Sequence, residues 1–109
     1  MTILKATAVA LTVIMCLGGC ASPPQLPPDE HWSKGTEAYH ARDYKNAVYH
    51  FTAILENHAA RKDLAPATLY FLGETYLKMG KDKKAEEVHK TLIRKHPLSS
   101  YARLVYGRD

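Results

Sequence analysis

Cysteine is scarce in this chain. There are two, Cys16 and Cys20, both close to the N-terminus. Catalytic motifs are missing as well: there is no Gly-x-Ser-x-Gly, no His-Glu-x-x-His and no glycine-rich phosphate loop. The common hydrolase, zinc-peptidase and nucleotide-binding chemistries therefore have no motif to stand on. Glu86 and Glu87 are adjacent, and neighbours on a helix point about 100° apart, so they do not converge on one reacting atom. Of the six histidines, His89 and His96 fall near one helix face with no third ligand spaced to join them. The expectation is no enzyme, no metal and no cofactor. Strong charge is lacking too. The net charge is +4, and it loses one unit if Lys5 leaves with an N-terminal leader. That excess suits solubility and a mild attraction to anionic surfaces, and for an exported chain it does not point to nucleic acid.

Long apolar runs are absent, but a short one opens the chain. Met1 and Lys5 precede an apolar stretch, Ala6 to Leu17, which ends in small residues just before Cys20. This is the layout of a secretory signal. The run falls below the roughly 17–25 residues of a membrane span, which makes a permanent span the weaker alternative. Leu17, Gly18, Gly19 and Cys20 resemble the bacterial lipobox. The resemblance implies lipid on the Cys20 sulfur and removal of residues 1–19. Cys16 would leave with them, so an internal disulfide is impossible. An ordinary cleaved signal with a spare thiol at Cys20 is the alternative. More than one acyl chain gives stable anchoring. The absence of Asp after Cys20, where Ala21 and Ser22 follow, resembles lipoproteins sorted to the outer membrane.

Four of the six residues from Pro23 to Pro28 are proline, which favours extended backbone over helix or sheet. Residues 20–28 read as a lipidated cysteine and tether. At about 3.1 Å per residue, the segment from Ala21 to Glu30 reaches on the order of 30 Å from a bilayer. Residues 29–109 then form one small domain, near the size at which a single core is marginally stable.

A repeat runs through that domain. A shift of 38 residues superposes Gly35 on Gly73, Ala47 on Ala85 and Ile54 on Leu92, and a shift of 34 superposes Gly73 on Gly107. Both are spacings of helical hairpins. Leu69, Leu72, Gly73, Tyr76 and Leu77 follow the stripe of one helix face, as do Ala85, Val88, Leu92 and His96. Leu72, Gly73, Tyr76, Gly80, Ala85 and Pro97 together resemble the tetratricopeptide repeat. In that pattern Gly73 and Ala85 are small where the two helices of a hairpin touch, Tyr76 fills the space beside them, Gly80 supplies a left-handed turn and Pro97 stops the second helix. The first repeat is a looser copy. Gly35, Tyr44, Ala47 and Phe51 are in register, but Lys34 and Ala38 replace a large apolar residue and an aromatic, and Tyr39 stands next door as compensation. Four extra residues are expected in Asn57 to Asp63. His89 takes a position where the pattern prefers an aromatic ring and reads as a core histidine.

The expected fold is all-α: antiparallel helix hairpins of a short solenoid, about two and a half repeats, over 29–41, 44–57, 64–79, 82–96 and 99–106. Asp43, Asp82 and Ser99 or Ser100 are the expected helix caps. The last helix, ending at Gly107, would cover the apolar face of Ala85 to Leu92 as a terminal cap.

Family register assigns a partner-binding groove to Trp32, Thr36, Tyr39, His40, Tyr70, Glu74, Leu77, Lys78, Tyr101 and Leu104. Four are aromatic, a composition that suits binding hot spots and equally suits the core of a small domain. The groove lacks the Lys/Asn set that grips a terminal carboxylate in chaperone-binding relatives. The basic stretch from Lys78 to Lys84, with Arg94 and Lys95, is partly offset by Glu86 and Glu87 ahead of Lys90 and reads as a solvated face. The resemblance implies an outer-membrane lipoprotein facing the periplasm, a scaffold for another envelope protein or peptide in barrel-protein assembly, secretion or cell-wall coordination. Self-association is open. A small metal-binding or enzymatic lipoprotein, and a structural envelope protein with no dedicated partner, are the alternatives.

Overall fold

A computed structural model describes residues 26–107. The signal, Cys16, Cys20 and the first part of the tether lie outside the described residues. Within them are five α-helices: α1 (Pro28–His40), α2 (Tyr44–Asn57), α3 (Ala65–Lys78), α4 (Asp82–Lys95) and α5 (Ser100–Tyr106). No strand occurs among the described residues. Helix α1 begins at Pro28, inside the stretch read as tether. Proline suits that first position, because its missing N–H would have had no helical acceptor there and its fixed φ is already helical.

Helices α2 and α4 stand 38 residues apart at both ends. Their buried stripes match: Ala47, Phe51 and Ile54 on α2, then Ala85, His89 and Leu92 on α4. Each stripe recurs at four- and three-residue steps, so each helix buries one face. Helix α3 is different. It buries Ala67, Thr68, Leu69, Leu72, Gly73 and Thr75, spread around its axis, because it touches all four other helices. Thr68 and Thr75 are fully enclosed, and their hydroxyls donate to the carbonyls of Leu64 at 2.8 Å and Phe71 at 2.6 Å. Neither is left costing a buried, unpaired polar group.

Both helix pairs are antiparallel hairpins. His31, early in α1, lies near His58 beyond the end of α2, while Tyr39, late in α1, meets Tyr44 at the start of α2. In the second pair, the Lys84 ammonium stands 5.7 Å over the Tyr76 ring, and Leu69 packs with Leu92. The turns are copies of one another. Asp43 N–H donates to Ala38 at 2.8 Å and Arg42 N–H to Tyr39 at 3.1 Å; Lys81 N–H donates to Tyr76 at 2.8 Å and Gly80 N–H to Leu77 at 3.0 Å. This is the Schellman closure, whose central residue must be left-handed. Gly80 has φ +77°, as expected, and Arg42 has φ 65°.

The expected caps hold only in part. Ser99 caps α5, its hydroxyl accepting the Tyr101 N–H at 3.1 Å. Asp43 occupies the cap position of α2, but its carboxylate accepts from the Asn46 side-chain amide at 2.6 Å instead of from backbone. Asp82 is the first residue of α4, with Lys81 as its cap, because the Lys81 carbonyl already takes the Ala85 N–H. Asp82 still places negative charge at the positive end of the helix.

The hairpins are joined by residues 58–64, a longer connection than the 96–99 that leads into α5. Arg61 spans it, bonding Asp63 at 2.8 Å and Asp29 of α1 at 3.2 Å. The guanidinium beside Asp63 holds that carboxyl down to about 2. Both acids are well exposed, so the bridge adds little stability. Two clusters make the core. Ala47, Phe51 and Leu72 gather Trp32, Tyr39 and Phe71; Leu69, Leu92, Ala102 and Val105 gather Tyr70 and Tyr101.

Candidate partner-binding face

Helices α1, α3 and α5 touch in sequence, α3 in the middle, whereas α2 and α4 do not meet. The three therefore share one side of the molecule, and the aromatics proposed from sequence converge there around a residue the register had passed over. That residue is Phe71. Its ring lies 5.7 Å from Trp32, 5.6 Å from Tyr39, 5.3 Å from Tyr70 and 6.5 Å from Tyr101. The first three contacts are edge-on, at interplanar angles of 75° to 85°, the geometry aromatic quadrupoles favour. Tyr70 and Tyr101 also meet directly at 5.5 Å. Trp32, Tyr39, Tyr70, Phe71 and Tyr101 are all half-buried, so each combines core packing with an open edge. Phe71 was legible: residues 71, 74 and 78 recur at i, i+3 and i+7 on the face already assigned.

The remaining groove residues divide. Thr36 is half-buried, and its hydroxyl donates to the Trp32 carbonyl at 3.0 Å. His40 abuts Tyr39 edge-on at 5.5 Å and is exposed. Lys78 and Leu104 are exposed. Leu77 borders a cavity of about 380 Å³ between α3, α4 and α5, lined also by Ala85, His89, Ile93 and Val105. Glu74 turns inward: its Oε2 lies 3.4 Å from His89 Nε2, with both side chains largely buried. Tyr70 stacks on the same imidazole at 6.1 Å. His89 is thus a core histidine that carries a carboxylate and a ring from the aromatic face.

The imidazole also answers for Gly73. What lies nearest the missing β-carbon of Gly73 is the His89 ring, not Ala85. Ala85 is buried on the same stripe of α4, one turn earlier. In the first hairpin Gly35 meets Phe51 in the same way.

Lys90 pairs with Glu86 at 2.8 Å on the surface of α4, and both border the same cavity as Leu77. Among the described residues, no group of three or more His, Cys, Asp or Glu is disposed to hold a metal ion. No helix there is long and apolar enough to cross a membrane. Compared with known proteins, the chain matches no family model, no curated protein and no solved structure.

Proposed function

We propose that this chain is a lipid-anchored scaffold of the bacterial envelope, built as a short tetratricopeptide-like solenoid of two hairpins and a terminal half-hairpin. It holds a helical or extended segment of another envelope protein against α1, α3 and α5. The observation that carries this reading is the aromatic row, Trp32, Tyr39, Phe71, Tyr70 and Tyr101, drawn from three helices that share one side. Aromatic rings that are rigid, half-buried and open at one edge are the usual anchors of a peptide groove. The solenoid reading is supported by the 38-residue recurrence of stripes, turns and close glycine contacts. A stack this short leaves apolar faces needing cover, since at least three repeats are usually required. A bound segment supplies that cover.

Anchoring follows from Leu17-Gly18-Gly19-Cys20, with an outer-membrane address from the residues after it. Lipid on Cys20 would hold the domain near the bilayer, and the partner with it. The test is Tyr70→Ala in the full chain, followed by crosslinking in intact cells. Truncating a hot-spot aromatic costs at least about 2 kcal/mol of binding. A helical variant that has lost its crosslinked partner supports the reading; a helical variant that keeps the same partner at the same yield rejects this face.

A further inference from the structure

Three histidines meet where the chain enters α1. His31 is buried in the first turn, 5 % exposed, and its Nδ1 is 3.0 Å from Nδ1 of His50 on α2. Its ring centroid is 5.3 Å from that of His50 and 6.1 Å from that of His58, the residue that follows α2. Nε2 of His58 donates to the Leu26 carbonyl at 3.1 Å, fastening the segment ahead of α1 to the same cluster. In the second hairpin, 38 residues on, the positions of His31 and His50 are held by Leu69 and Val88, ordinary core residues. The first hairpin has replaced apolar packing with titratable rings at this one end.

We propose that His31, His50 and His58 form an acid-released latch that holds the first turn of α1, and Leu26–Pro28 with it, against the end of α2.

The chemistry lies in the shared hydrogen bond. With both rings neutral, one Nδ1 carries a proton and the other accepts it. One added proton is tolerated, because a cationic ring still donates to a neutral one. A second leaves two N–H groups facing each other at 3.0 Å, and the contact must open. Other groups bear on these rings. Glu30 on α1 favours charge on His31 and His58 opposes it; Lys34 on α1 opposes charge on His50. Tyr49 meets His31 edge-on at 6.4 Å. From the connection to α3, Arg61 engages Asp29, so that carboxylate is already paired. His31 also lies in the first turn of its helix, where positive charge is unfavourable.

Burial first, then the charge of His58, pushes His31 below the usual 6.5; burial first, then His31 and Lys34, does the same for His50. The folded domain therefore binds fewer protons than the unfolded chain. The latch keeps its full stability above 6.5 and loses it as pH falls through that value toward the folded pKa values.

The test is an NMR titration of the full chain from about pH 7.5 to about pH 5.5, the range over which histidine acts as a switch. It follows the rings of His31 and His50 together with the backbone carbon shifts of Asp29, Glu30 and His31. The expected result is a move of those three residues from helical to coil values with the midpoint of the second ring protonation, while Leu92 stays helical. His31→Leu with His50→Val, which copies the second hairpin, should abolish the move. Rings that protonate while the first turn stays helical would overturn the proposal, as would the same fraying in the double variant. If the double variant fails to fold, the wild-type titration decides alone.

Discussion

Phe51 lies so close to Gly35 that a β-carbon there would stand 2.7 Å from its Cε1, and His89 stands against Gly73 in the same relation. Each pair joins the two helices of one hairpin, and the absence of a side chain is what permits so close a contact. The chain places a ring, not a second small residue, opposite each glycine.

Gly35→Ala and Gly73→Ala should therefore each destabilise the domain by roughly 1–3 kcal/mol, the usual cost of overpacking a filled core. Urea unfolding measures it, and an unchanged midpoint in both variants would show that the hairpins are not held at these contacts.

The two turns differ in one respect that carries a prediction of opposite sign. Arg42 is left-handed where the second hairpin has Gly80. That conformation costs a side-chain-bearing residue roughly 1–2 kcal/mol, of which about 0.5–1 kcal/mol is returned by the greater unfolded-state entropy of glycine. Arg42→Gly should raise stability by up to about 1 kcal/mol, and Gly80→Ala should lower it by a similar amount. Thermal unfolding of the pair checks both signs.

Much of this fold was legible because it rests on period and punctuation. Ala47 and Phe51 of α2, Ala85 and Leu92 of α4, the turn at Gly80 and the stop ahead of Pro97 follow from residue types at fixed spacings. What escaped was which residue faces which. Spacing put Gly73 and Ala85 on facing helices, but a ring at position 89 fills the gap, and only three-dimensional packing shows it. Phe71 lies one residue from Tyr70 and outside the positions that the family register assigns to the groove. His31 and His50 were hidden because histidines 19 residues apart meet only once the hairpin closes.

Phe71 makes the next prediction. It touches aromatics of α1, α2, α3 and α5 while remaining half-buried. Phe71→Ala should cost about 3 kcal/mol, the low end for a buried phenylalanine. Near-ultraviolet circular dichroism should report loss of the aromatic environment of Trp32. A change below about 1 kcal/mol would mean that the row is not organised around this ring.

Lipidation is checked by Cys20→Ser and cell fractionation. The expected outcome is an unprocessed or soluble product; processing and membrane sedimentation at wild-type levels would remove the anchor from the account.

The central claim, that the aromatic face of α1, α3 and α5 receives a partner, is tested most directly by a photocrosslinking scan in intact cells. A photoreactive residue is placed in turn at His40, Lys78 and Leu104, exposed positions assigned to that face, and at Lys45 and Glu87, exposed positions on α2 and α4. The account predicts adducts to one and the same envelope protein from the first three positions and none to it from the last two. Adducts to that protein from Lys45 and Glu87 alone, or no common adduct from the face, would contradict it.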